Sequence, residues 1–430
     1  MHQFYTFSVD DISIFKEKVL KLSSIVNNFC YLDANNYTGY PYSSFGSFFA
    51  IDAIHTITFS REDKNILQQF EVFRKAHQSW LFGFLSYELK NDIEYGTLYS
   101  NNIDGIDNPV LNFFIPKYII KIEDKKVELG VLNIDAVQEF ETLLNQAEQI
   151  IKTASEVKIK HRITKEQYVE NVRLIQEQIR IGNVYEMNFC QEFYSENSKI
   201  DTLETFRKLN ELSQAPFSCY FKNNQNYLMC ASPERFLKKS KQKLITQPIK
   251  GTRKRSINTI EDNNNKQELL SNEKELSENV MIVDLVRNDF SKIATKNSVQ
   301  VEELFGLYSF KQVHQLISTI SCQIGEEKSF KDIIEAMFPM GSMTGAPKLA
   351  AMQLAEKYEQ TQRGMYSGAV GYITPKGNFD FNVVIRSILY NAKNQYVSIQ
   401  TGSAITIESI AEQEYEECLV KAQALFEALK

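Results

Sequence analysis

Two pairs of glutamates, each three residues apart, are the side chains of this sequence best suited to bind a cation. Glu275 and Glu278 lie in EKELSENVMIVDLVRNDF, and Glu414 and Glu417 lie in EQEYEECLVKAQALFEALK. Both segments carry apolar residues at helical spacing, so each pair shares one helix face. Two carboxylates from each of two helices would suit a hard cation such as Mg²⁺. The alternative is a solvated helix face, on which Glu417 pairs with Lys421 at i, i+4.

A glycine-flanked turn that leads into a helix is a candidate anion site. In FPMGSMTGAPKLAAMQLAEKYE (338–359), Gly341 and Gly345 precede Pro347, which is predicted to take the first helical position. Free N–H groups at such a helix start bind a phosphate or a carboxylate. The alternative is a well-capped helix without a ligand. Further glycines in QRGMYSGAVGYI surround Tyr366 and favour a close backbone approach.

One arginine is predicted to lie in the middle of a strand. NFDFNVVIRSILY (378–390) alternates in polarity, which places Arg386 on one face with Asp380 and Asn382. An arginine among apolar neighbours is costly unless it is paired, so it indicates either a buried salt bridge or the carboxylate of a ligand. The next strand, at 396–406, is predicted to end in three small residues that could present backbone N–H groups: Gly402, Ser403 and Ala404.

Lys250 is a candidate nucleophile. It precedes Gly251 in QPIKGT, where a strand is predicted to enter a turn, and a desolvated amine there could attack a substrate. The alternative is an ordinary surface lysine. Basic residues at 238–243 and 253–255 lack interleaved aromatic side chains and do not favour nucleic-acid binding. The sequence contains neither an H-E-x-x-H nor a G-x-S-x-G motif, so hydrolase chemistry is not supported.

Composition excludes several classes of protein. The 430 residues are 24% charged and 43% hydrophobic with a net charge of −6, which implies no global attraction to nucleic acid or anionic membrane. The six cysteines form no C-x-x-C pair. Neither a signal-peptide pattern nor a long apolar run occurs, so we expect a cytoplasmic protein. With only 17 glycines and nine prolines, low-complexity classes are excluded and each glycine cluster is notable.

The chain divides into two predicted regions, 1–155 and 156–430. The first contains strand-like segments at 80–89 and 110–122, and it ends in a helix from Ile134 followed by a charged segment.

The second region begins with a well-marked helix. Thr164 is its predicted N-cap, with Gln167 at the third helical position, and Gly182 is predicted to end it. Further along, the polar and asparagine-rich segment 256–272 is predicted to be a mobile loop. The segment with Glu275 and Glu278 follows as a long helix.

Six segments, in one order along the chain, resemble the motifs of the chorismate-utilising enzymes. This family includes anthranilate, aminodeoxychorismate, isochorismate and salicylate synthases. The segments are SPERF (232–236), PIKGTRKR (248–255), ENVMIVDLVRND (278–289), FPMGSMTGAPK (338–348), FNVVIRSI (381–388) and EYEECLVKA (414–422). In the first region, GFLSYELKNDIE is similar to the N-terminal part of the same family. The resemblance implies an α+β fold in which two mainly antiparallel β-sheets pack face to face with helices on the outside.

The resemblance also implies a role for each candidate residue. Mg²⁺ would be held by Glu278 and Glu417, and through water by Glu275 and Glu414, and it would bind the ring carboxylate of chorismate. Glu234 of SPERF would be the general acid that protonates the departing C4 hydroxyl, which requires a raised pKa. The implied substrate-binding residues are His314, Thr344, Gly345, Tyr366, Arg386, Gly402, Ser403, Ala404 and Lys421.

Lys250 indicates the product. Anthranilate synthases usually carry Ala in P-I-A-G-T, whereas aminodeoxychorismate synthases carry Lys, as this chain does. In that branch the lysine attacks C2 as the C4 hydroxyl leaves, and ammonia then enters at C4. Glu186 stands where the amino-transferring branches usually have Gln, and we interpret it as a residue that helps to position ammonium.

The resemblance therefore implies the aminodeoxychorismate synthase branch, whose product leads to 4-aminobenzoate and folate. Since the sequence carries no amidotransferase signature, ammonia would come from solution or from a separate glutamine amidotransferase subunit. The alternatives are anthranilate synthase component I and a non-catalytic chorismate-binding protein. The intact set of Glu234, Lys250, Glu278 and Glu417 argues against the latter.

Overall fold

The computed structural model describes residues 2–37, 42, 46–98, 100–123, 126–146 and 156–430. The helices in these residues are α1 (Ile12–Lys21), α2 (Ile66–His77), α3 (Lys90–Ile93), α4 (Asp135–Gln146), α5 (Lys165–Arg180), α6 (Thr202–Ser213), α7 (Thr259–Ser271), α8 (Glu273–Ser291), α9 (Phe330–Met337), α10 (Lys348–Tyr358) and α11 (Ala411–Ala428). The strands are β1 (Gln3–Ser8), β2 (Asn28–Asp33), β3 (Ser47–Phe59), β4 (Leu81–Leu85), β5 (Leu111–Glu123), β6 (Lys126–Val131), β7 (Lys160–His161), β8 (Glu186–Ser195), β9 (Phe217–Asn223), β10 (Asn226–Ser232), β11 (Arg235–Ser240), β12 (Lys243–Gln247), β13 (Ile249–Lys254), β14 (Gln300–Ser309), β15 (Val313–Gln323), β16 (Gly345–Ala346), β17 (Ala369–Ile373), β18 (Phe379–Asn382), β19 (Ser387–Asn391) and β20 (Tyr396–Ile405).

The described strands pair antiparallel and form one continuous network. Strand β5 is its branch point, because it pairs with β3 along one edge and with β4 and then β6 along the other. A first wing runs from β4 through β17, β18, β11, β12 and β15 to β13 and β14. A second wing runs from β3 through β2, β9, β10, β19, β20 and β8 to β7 and β16. The predicted α+β class with antiparallel pairing is confirmed, whereas a division into two separate sheets is not.

The two wings contact each other through buried apolar side chains. Phe84 of β4 meets Phe221 of β9 edge to face, with ring centroids 5.5 Å apart. Phe114 of β5 lies 6.2 Å from the same ring of Phe221. Aromatic pairs of this geometry add to the stabilisation that burial provides. Leu237 of the first wing and Leu228 of the second belong to the same cluster, so the wings share one core.

Helices cover the wings. Phe15 of α1, Phe206 of α6 and Leu425 of α11 belong to one buried cluster on the second wing, together with residues of β2. Helices α5 and α10 pack with α11 around β8. On the first wing, Val283 of α8 and Ile334 of α9 join the shared core. None of the helices in the described residues combines the length and the apolar character that crossing a membrane requires.

Helix α5 begins and ends as the sequence predicts. The Thr164 side chain accepts a hydrogen bond from the backbone N–H of Gln167 at 3.2 Å, and the Gln167 side chain accepts one from the N–H of Thr164 at 2.9 Å. This reciprocal arrangement is a capping box. Gly182 follows the last turn with φ of +86°, a left-handed conformation that favours glycine.

The prediction of a mobile loop at 256–272 is wrong, because residues Thr259–Ser271 form helix α7. The Asn258 side chain caps this helix by accepting hydrogen bonds from the N–H groups of Ile260 and Glu261, at 2.9 and 3.3 Å. Asp262 then binds Arg255 Nε at 2.9 Å and ties the helix to β13. Asparagine-rich composition suggested a loop, but the local cap and this ion pair favour a helix.

The prediction of one continuous strand at 378–390 is also wrong. Strand β18 pairs within the first wing and β19 pairs within the second, so the chain crosses between wings at residues 383–386. Arg386 has φ of +51° in this crossing and does not share a face with Asp380 and Asn382. The Asn382 side chain instead accepts a hydrogen bond from the N–H of Val370 at 3.0 Å.

The predicted boundary between 1–155 and 156–430 adjoins residues 147–155, which lie outside the described residues. The helix predicted from Ile134 is present as α4 as far as Gln146. Strands from both sides of the boundary pair directly, β2 with β9 and β4 with β17. The division into two regions stays a prediction.

Candidate active site

Lys250 lies on β13 at an irregular position of the sheet. The pairing of β13 with β15 changes register between Ile249 and Thr252, and Gly251 has φ of +93°. From α8, Asn279 donates a hydrogen bond to the Lys250 carbonyl at 3.4 Å. Only 11% of the Lys250 side chain is exposed. The alternative of an ordinary surface lysine is therefore wrong.

Carboxylates compensate the charge of Lys250. Its Nζ lies 2.7 Å from Glu186 Oε1 and 3.9 Å from Glu278 Oε2. Burial alone would lower the pKa of this amine, but the carboxylates of Glu186, Glu278 and Glu417 raise it above the ordinary lysine value. Lys250 is thus an ammonium ion at neutral pH, and it must lose a proton before it can act as a nucleophile.

Glu186 is held where β8 meets the glycine-rich turn. Gly345 pairs with Met187 and has φ of +151°, and a Cβ at this position would lie 2.2 Å from the Glu186 carbonyl oxygen. Only glycine permits this approach. The carbonyl of Thr344 accepts a hydrogen bond from the N–H of Asn188 at 2.7 Å, and the Thr344 hydroxyl donates within its own turn. Gly345 therefore serves strand contact, and Pro347 precedes helix α10 as its N-cap rather than its first residue.

The glutamates of α8 and α11 converge on one lysine. Lys274 Nζ lies 3.3 Å from Glu414 Oε1 and 3.8 Å from Glu278 Oε1. The side chains of Glu414 and Glu278 are only 4% and 10% exposed. In contrast, Glu417 is half exposed and pairs with Lys421 at 2.6 Å. The alternative of a solvated helix face is therefore correct for Glu417 but not for Glu278 or Glu414.

The carboxylates on α8 and α11 have the chemistry of a cation site. Glu278 and Glu414 are oxygen donors that already surround a positive charge, which fits a hard divalent cation. Glu275 is occupied differently, because its Oε1 lies 3.1 Å from Arg253 Nη1. Within the part of the chain that the structure describes, no three acidic, histidine or cysteine side chains lie close enough together to hold a metal as they stand. Burial raises the pKa of Glu278 to about 7 against the opposing charge of Lys250.

Glu234 is a buried carboxyl between β10 and β11. Ser342 donates a hydrogen bond from Oγ to Glu234 Oε1 at 2.6 Å. The backbone carbonyl of Glu234 accepts a hydrogen bond from Val383, in the segment that crosses between the wings. Burial raises the pKa of Glu234 to about 7, although the Ser342 hydrogen bond and the charge of Lys250 oppose this shift. A carboxyl with this pKa can donate a proton at neutral pH.

Arg386 lies in the same crossing segment, and no carboxylate among the described residues pairs with it. Its Nη1 donates a hydrogen bond to the Lys421 carbonyl at 3.1 Å. Burial lowers the pKa of its guanidinium, and the buried Tyr366 is close enough to oppose this effect. Lys421 Nζ also donates to the Gly402 carbonyl at 2.8 Å. Of the two alternatives for Arg386, this arrangement favours a ligand carboxylate over a buried salt bridge.

Gly402, Ser403 and Ala404 lie within strand β20 and do not form the predicted strand end. Gly402 pairs with Cys190 of β8, and a Cβ on Gly402 would lie 2.6 Å from the Cys190 sulfur. The Ser403 hydroxyl lies 3.0 Å from the Tyr168 hydroxyl on α5. The absence of a side chain at Gly402 therefore permits the packing of β20 on β8.

His314 is not brought together with Lys250 and the glutamates. Its Nδ1 lies 2.8 Å from Ser309 Oγ, and its Nε2 lies 2.9 Å from Asp262 Oδ1 on α7. The side chain is fully buried, and burial lowers its pKa. Both ring nitrogens are engaged while α7 holds Asp262 in this place. The contact between His314 and a substrate ring stays a prediction.

A family model described as "chorismate binding enzyme" matches residues 28–427, which include every site residue described above. The chain belongs to the chorismate-binding enzymes. The resemblance noted in the sequence is confirmed.

The relatives of this chorismate-binding enzyme include both amino-transferring branches. Aminodeoxychorismate synthase component 1 of Escherichia coli is 37% identical over 268 residues, which are 62% of this chain and 58% of that protein. Anthranilate synthase component 1 of Aquifex aeolicus is 35% identical over 267 residues, which are 62% and 53%. The matches thus span little more than half the length of these curated relatives. The crystal structure of anthranilate synthase component I from Streptococcus pneumoniae superposes with a TM-score of 0.77 at 24% identity, covering 90% of this chain and 93% of that chain, which shows the fold.

Some contacts of the candidate site could not be found from the sequence. Lys274 stands four residues before Glu278, and this spacing was its only signal. Ser342 lies inside the glycine-rich turn, but nothing local links it to Glu234. Asn279 adjoins Glu278, and its hydrogen bond to Lys250 depends on how α8 packs on β13.

Proposed function

We propose that this enzyme is the large component of aminodeoxychorismate synthase, which converts chorismate and ammonia to 4-amino-4-deoxychorismate for 4-aminobenzoate and folate biosynthesis. The observation that carries the proposal is the buried contact between Lys250 Nζ and Glu186 Oε1, at 2.7 Å. Direct amination of the substrate at C2 requires no lysine at this place. A lysine is required if its amine attacks C2 itself and thereby directs ammonia to C4.

In the first half of the proposed reaction, Lys250 is the nucleophile and Glu234 is the acid. Lys250 first passes a proton to Glu186, which is the closest base. The neutral amine then forms a bond to C2, both ring double bonds shift by one position, and the C4–O bond breaks. Glu234 donates its proton to the departing hydroxyl, which leaves as water. Such general acid catalysis contributes about 10²- to 10⁴-fold to the rate.

In the second half, ammonia restores the ring. Its nitrogen forms a bond to C4, both double bonds shift back, and the bond between C2 and Lys250 breaks. The proton that ammonia loses returns to Glu234, and Glu186 returns the other proton to Lys250. Both acids and the lysine are thus restored for the next turnover.

The remaining residues are proposed to hold the substrate. Arg386, Tyr366 and the backbone at Gly402–Ala404 would bind the enolpyruvyl carboxylate, and the ring would lie against Thr344, Gly345, Lys421 and His314. Glu278 and Glu417 would hold Mg²⁺ directly, with Glu275 and Glu414 bound through water. Once bound, this ion would supply positive charge for the ring carboxylate and for the charge that develops as the hydroxyl leaves.

The proposal includes a second protein. Relatives that carry the name component 1 point to a partner component, and we infer that a separate glutamine amidotransferase supplies the ammonia. We place the enzyme in the cytoplasm, where chorismate and glutamine would be available to it.

The product distinguishes this proposal from its main alternative. Anthranilate synthase component I is favoured by the similarity to the Aquifex aeolicus enzyme at 35% identity. Incubation with chorismate, Mg²⁺ and an ammonium salt, followed by aminodeoxychorismate lyase, should yield 4-aminobenzoate. Anthranilate fluorescence without 4-aminobenzoate would overturn the proposal. Absence of any turnover, with chorismate still bound, would indicate the non-catalytic alternative.

A further inference from the structure

Lys274 occupies the place where the carboxylates of two helices meet. It lies in the first turn of α8, and its Nζ contacts Glu278 of the same helix and Glu414 of α11, at 3.8 and 3.3 Å. Glu417 also acts on this amine electrostatically. These are three of the four carboxylates that are proposed to serve Mg²⁺. A lysine ammonium thus stands in for the cation that the proposed function requires.

We propose that Lys274 is a built-in counter-cation that a divalent metal ion must displace. The inference rests on the proposed function for the existence of the metal site. With Lys274 in place, the buried charges of Glu278 and Glu414 are compensated, and the two helices are held together without metal. When the metal binds, the same carboxylates take it as their partner and the ammonium moves out to solvent.

The exposures of the two neighbouring lysines indicate which one moves. The Lys274 side chain is 42% exposed, so it can extend into water at little cost. Lys250 is 11% exposed and is fixed by Glu186, 2.7 Å away. A divalent cation beside both ammonium ions would be repelled strongly, because like charges at about 4 Å interact with several kcal/mol in a partly buried site. Departure of Lys274 relieves this repulsion, whereas departure of Lys250 would remove the proposed nucleophile.

The inference predicts the direction in which metal affinity changes when the lysine loses its charge. A metal that binds only the lysine-out state has an apparent affinity reduced by the fraction of that state. In Lys274→Gln that competition is absent, so we expect the Kd for Mg²⁺ to fall at least about fivefold, the lower end of typical coupling effects. Isothermal titration of the full chain with Mg²⁺, without chorismate, measures this Kd. An unchanged or higher Kd would overturn the inference.

Lys292→Gln is the matched control. It removes the same charge from the C-cap of the same helix, but Lys292 pairs with Asp289 at 2.9 Å and contacts none of the four glutamates. Its Kd for Mg²⁺ should equal that of the wild type. A similar gain in both variants would mean that net charge alone governs affinity, and it would overturn a specific role for Lys274.

Thermal unfolding separates displacement from a merely structural ion pair. Without metal, Lys274→Gln should have a lower Tm, because Glu414 loses its partner and Glu278 keeps only Lys250. With saturating Mg²⁺ the increase in Tm should exceed that of the wild type, since stabilisation by a ligand grows as its Kd falls. A structural ion pair alone would lower the Tm without changing the increase that Mg²⁺ produces, and this result would overturn the inference.

Glu278→Gln distinguishes failure of this inference from failure of the proposed metal site. If the wild type binds Mg²⁺ and Glu278→Gln does not, the metal site stands, and the Lys274→Gln result decides the inference alone. If the wild type binds no Mg²⁺ with or without chorismate, both the metal site and the inference are overturned.

Discussion

Two neighbouring parts of the site differ in whether their charged side chains have partners of opposite charge. In the first, which we call the compensated cluster, Lys250 and Lys274 face Glu186, Glu278 and Glu414, and each charge has an opposite partner within 3.9 Å. In the second, the uncompensated pair, Arg386 donates to a backbone carbonyl and Glu234 accepts from the hydroxyl of Ser342, and neither forms an ion pair with a described residue.

The contrast indicates where the substrate brings charge of its own. A buried charge without a partner is costly, and a protein retains one where a ligand supplies the partner. We therefore expect Arg386 to bind a carboxylate of the substrate. Glu234 carries no unpaired charge as long as it is protonated. The residues of the compensated cluster are already paired with one another without a ligand. They must therefore exchange these partners before they can react. Its proton transfer from Lys250 to Glu186 is such an exchange.

The largest expected effect comes from removal of the central charge of the compensated cluster. Lys250→Met should lower kcat for 4-amino-4-deoxychorismate formation at least about 10³-fold, because the nucleophile of the proposed reaction is lost. Chorismate should still bind, since Arg386 and its neighbours are untouched, and calorimetry measures this binding. Lys376→Met, at an exposed position, is the control and should keep full activity. Unaltered turnover in Lys250→Met would rule out the covalent step.

The second effect tests whether Arg386 is truly uncompensated. Arg386→Met should raise the KM for chorismate about 10- to 100-fold, as expected when a charged hydrogen bond to a ligand is lost. Its Tm should stay equal to that of the wild type or rise, because an unpaired buried charge is removed.

Arg235 provides the matched contrast. Its side chain is fully buried, and its Nε pairs with Asp380 at 2.9 Å. Arg235→Met leaves that carboxylate with only the more distant Lys238, 3.8 Å away, and should cost about 3–5 kcal/mol of stability. Measurement of both Tm values decides the matter: an equal loss of stability in Arg386→Met would show that Arg386 has a structural role.

Local features of this architecture could be predicted from sequence, and partnerships across the chain could not. The Thr164 capping box joins two residues three positions apart, within one helical turn, and was predicted correctly. The contacts of Lys250 with Glu186 and of Lys274 with Glu414 join residues 64 and 140 positions apart. Only the packing of α8 and α11 around β13 and β8 creates them.

The crossing at 383–386 shows the same limit in the backbone. Apolar alternation continues through this segment, so the sequence pattern indicates one strand. The structure breaks it because β18 and β19 belong to different wings. The break places Arg386 beside Lys421 and Glu234 beside Val383, and the uncompensated pair therefore depends on long-range strand pairing.

The smallest expected effect concerns the other member of the uncompensated pair. Glu234 has a pKa of about 7 in the folded protein, against an ordinary value of 4.5. The folded state therefore binds the proton more tightly than the unfolded chain. The stability that results is fully present below about pH 4.5 and is lost as the pH rises through about 7. Gln resembles the protonated carboxyl at every pH.

Glu234→Gln should consequently have a Tm close to that of the wild type at pH 5 and a Tm about 1–3 °C higher at pH 8. Glu170→Gln, at an exposed position, should show no such divergence. Calorimetric unfolding gives the Tm gap between Glu234→Gln and wild type at each pH. Comparison of the gap at pH 5 with the gap at pH 8 cancels any constant effect of the substitution on packing or on the Ser342 hydrogen bond. If the gap between Glu234→Gln and wild type is the same at pH 5 and pH 8, then Glu234 is ionised at neutral pH in the folded protein. It would then be unable to protonate the departing hydroxyl, and the acid of the reaction would have to be sought elsewhere in the site.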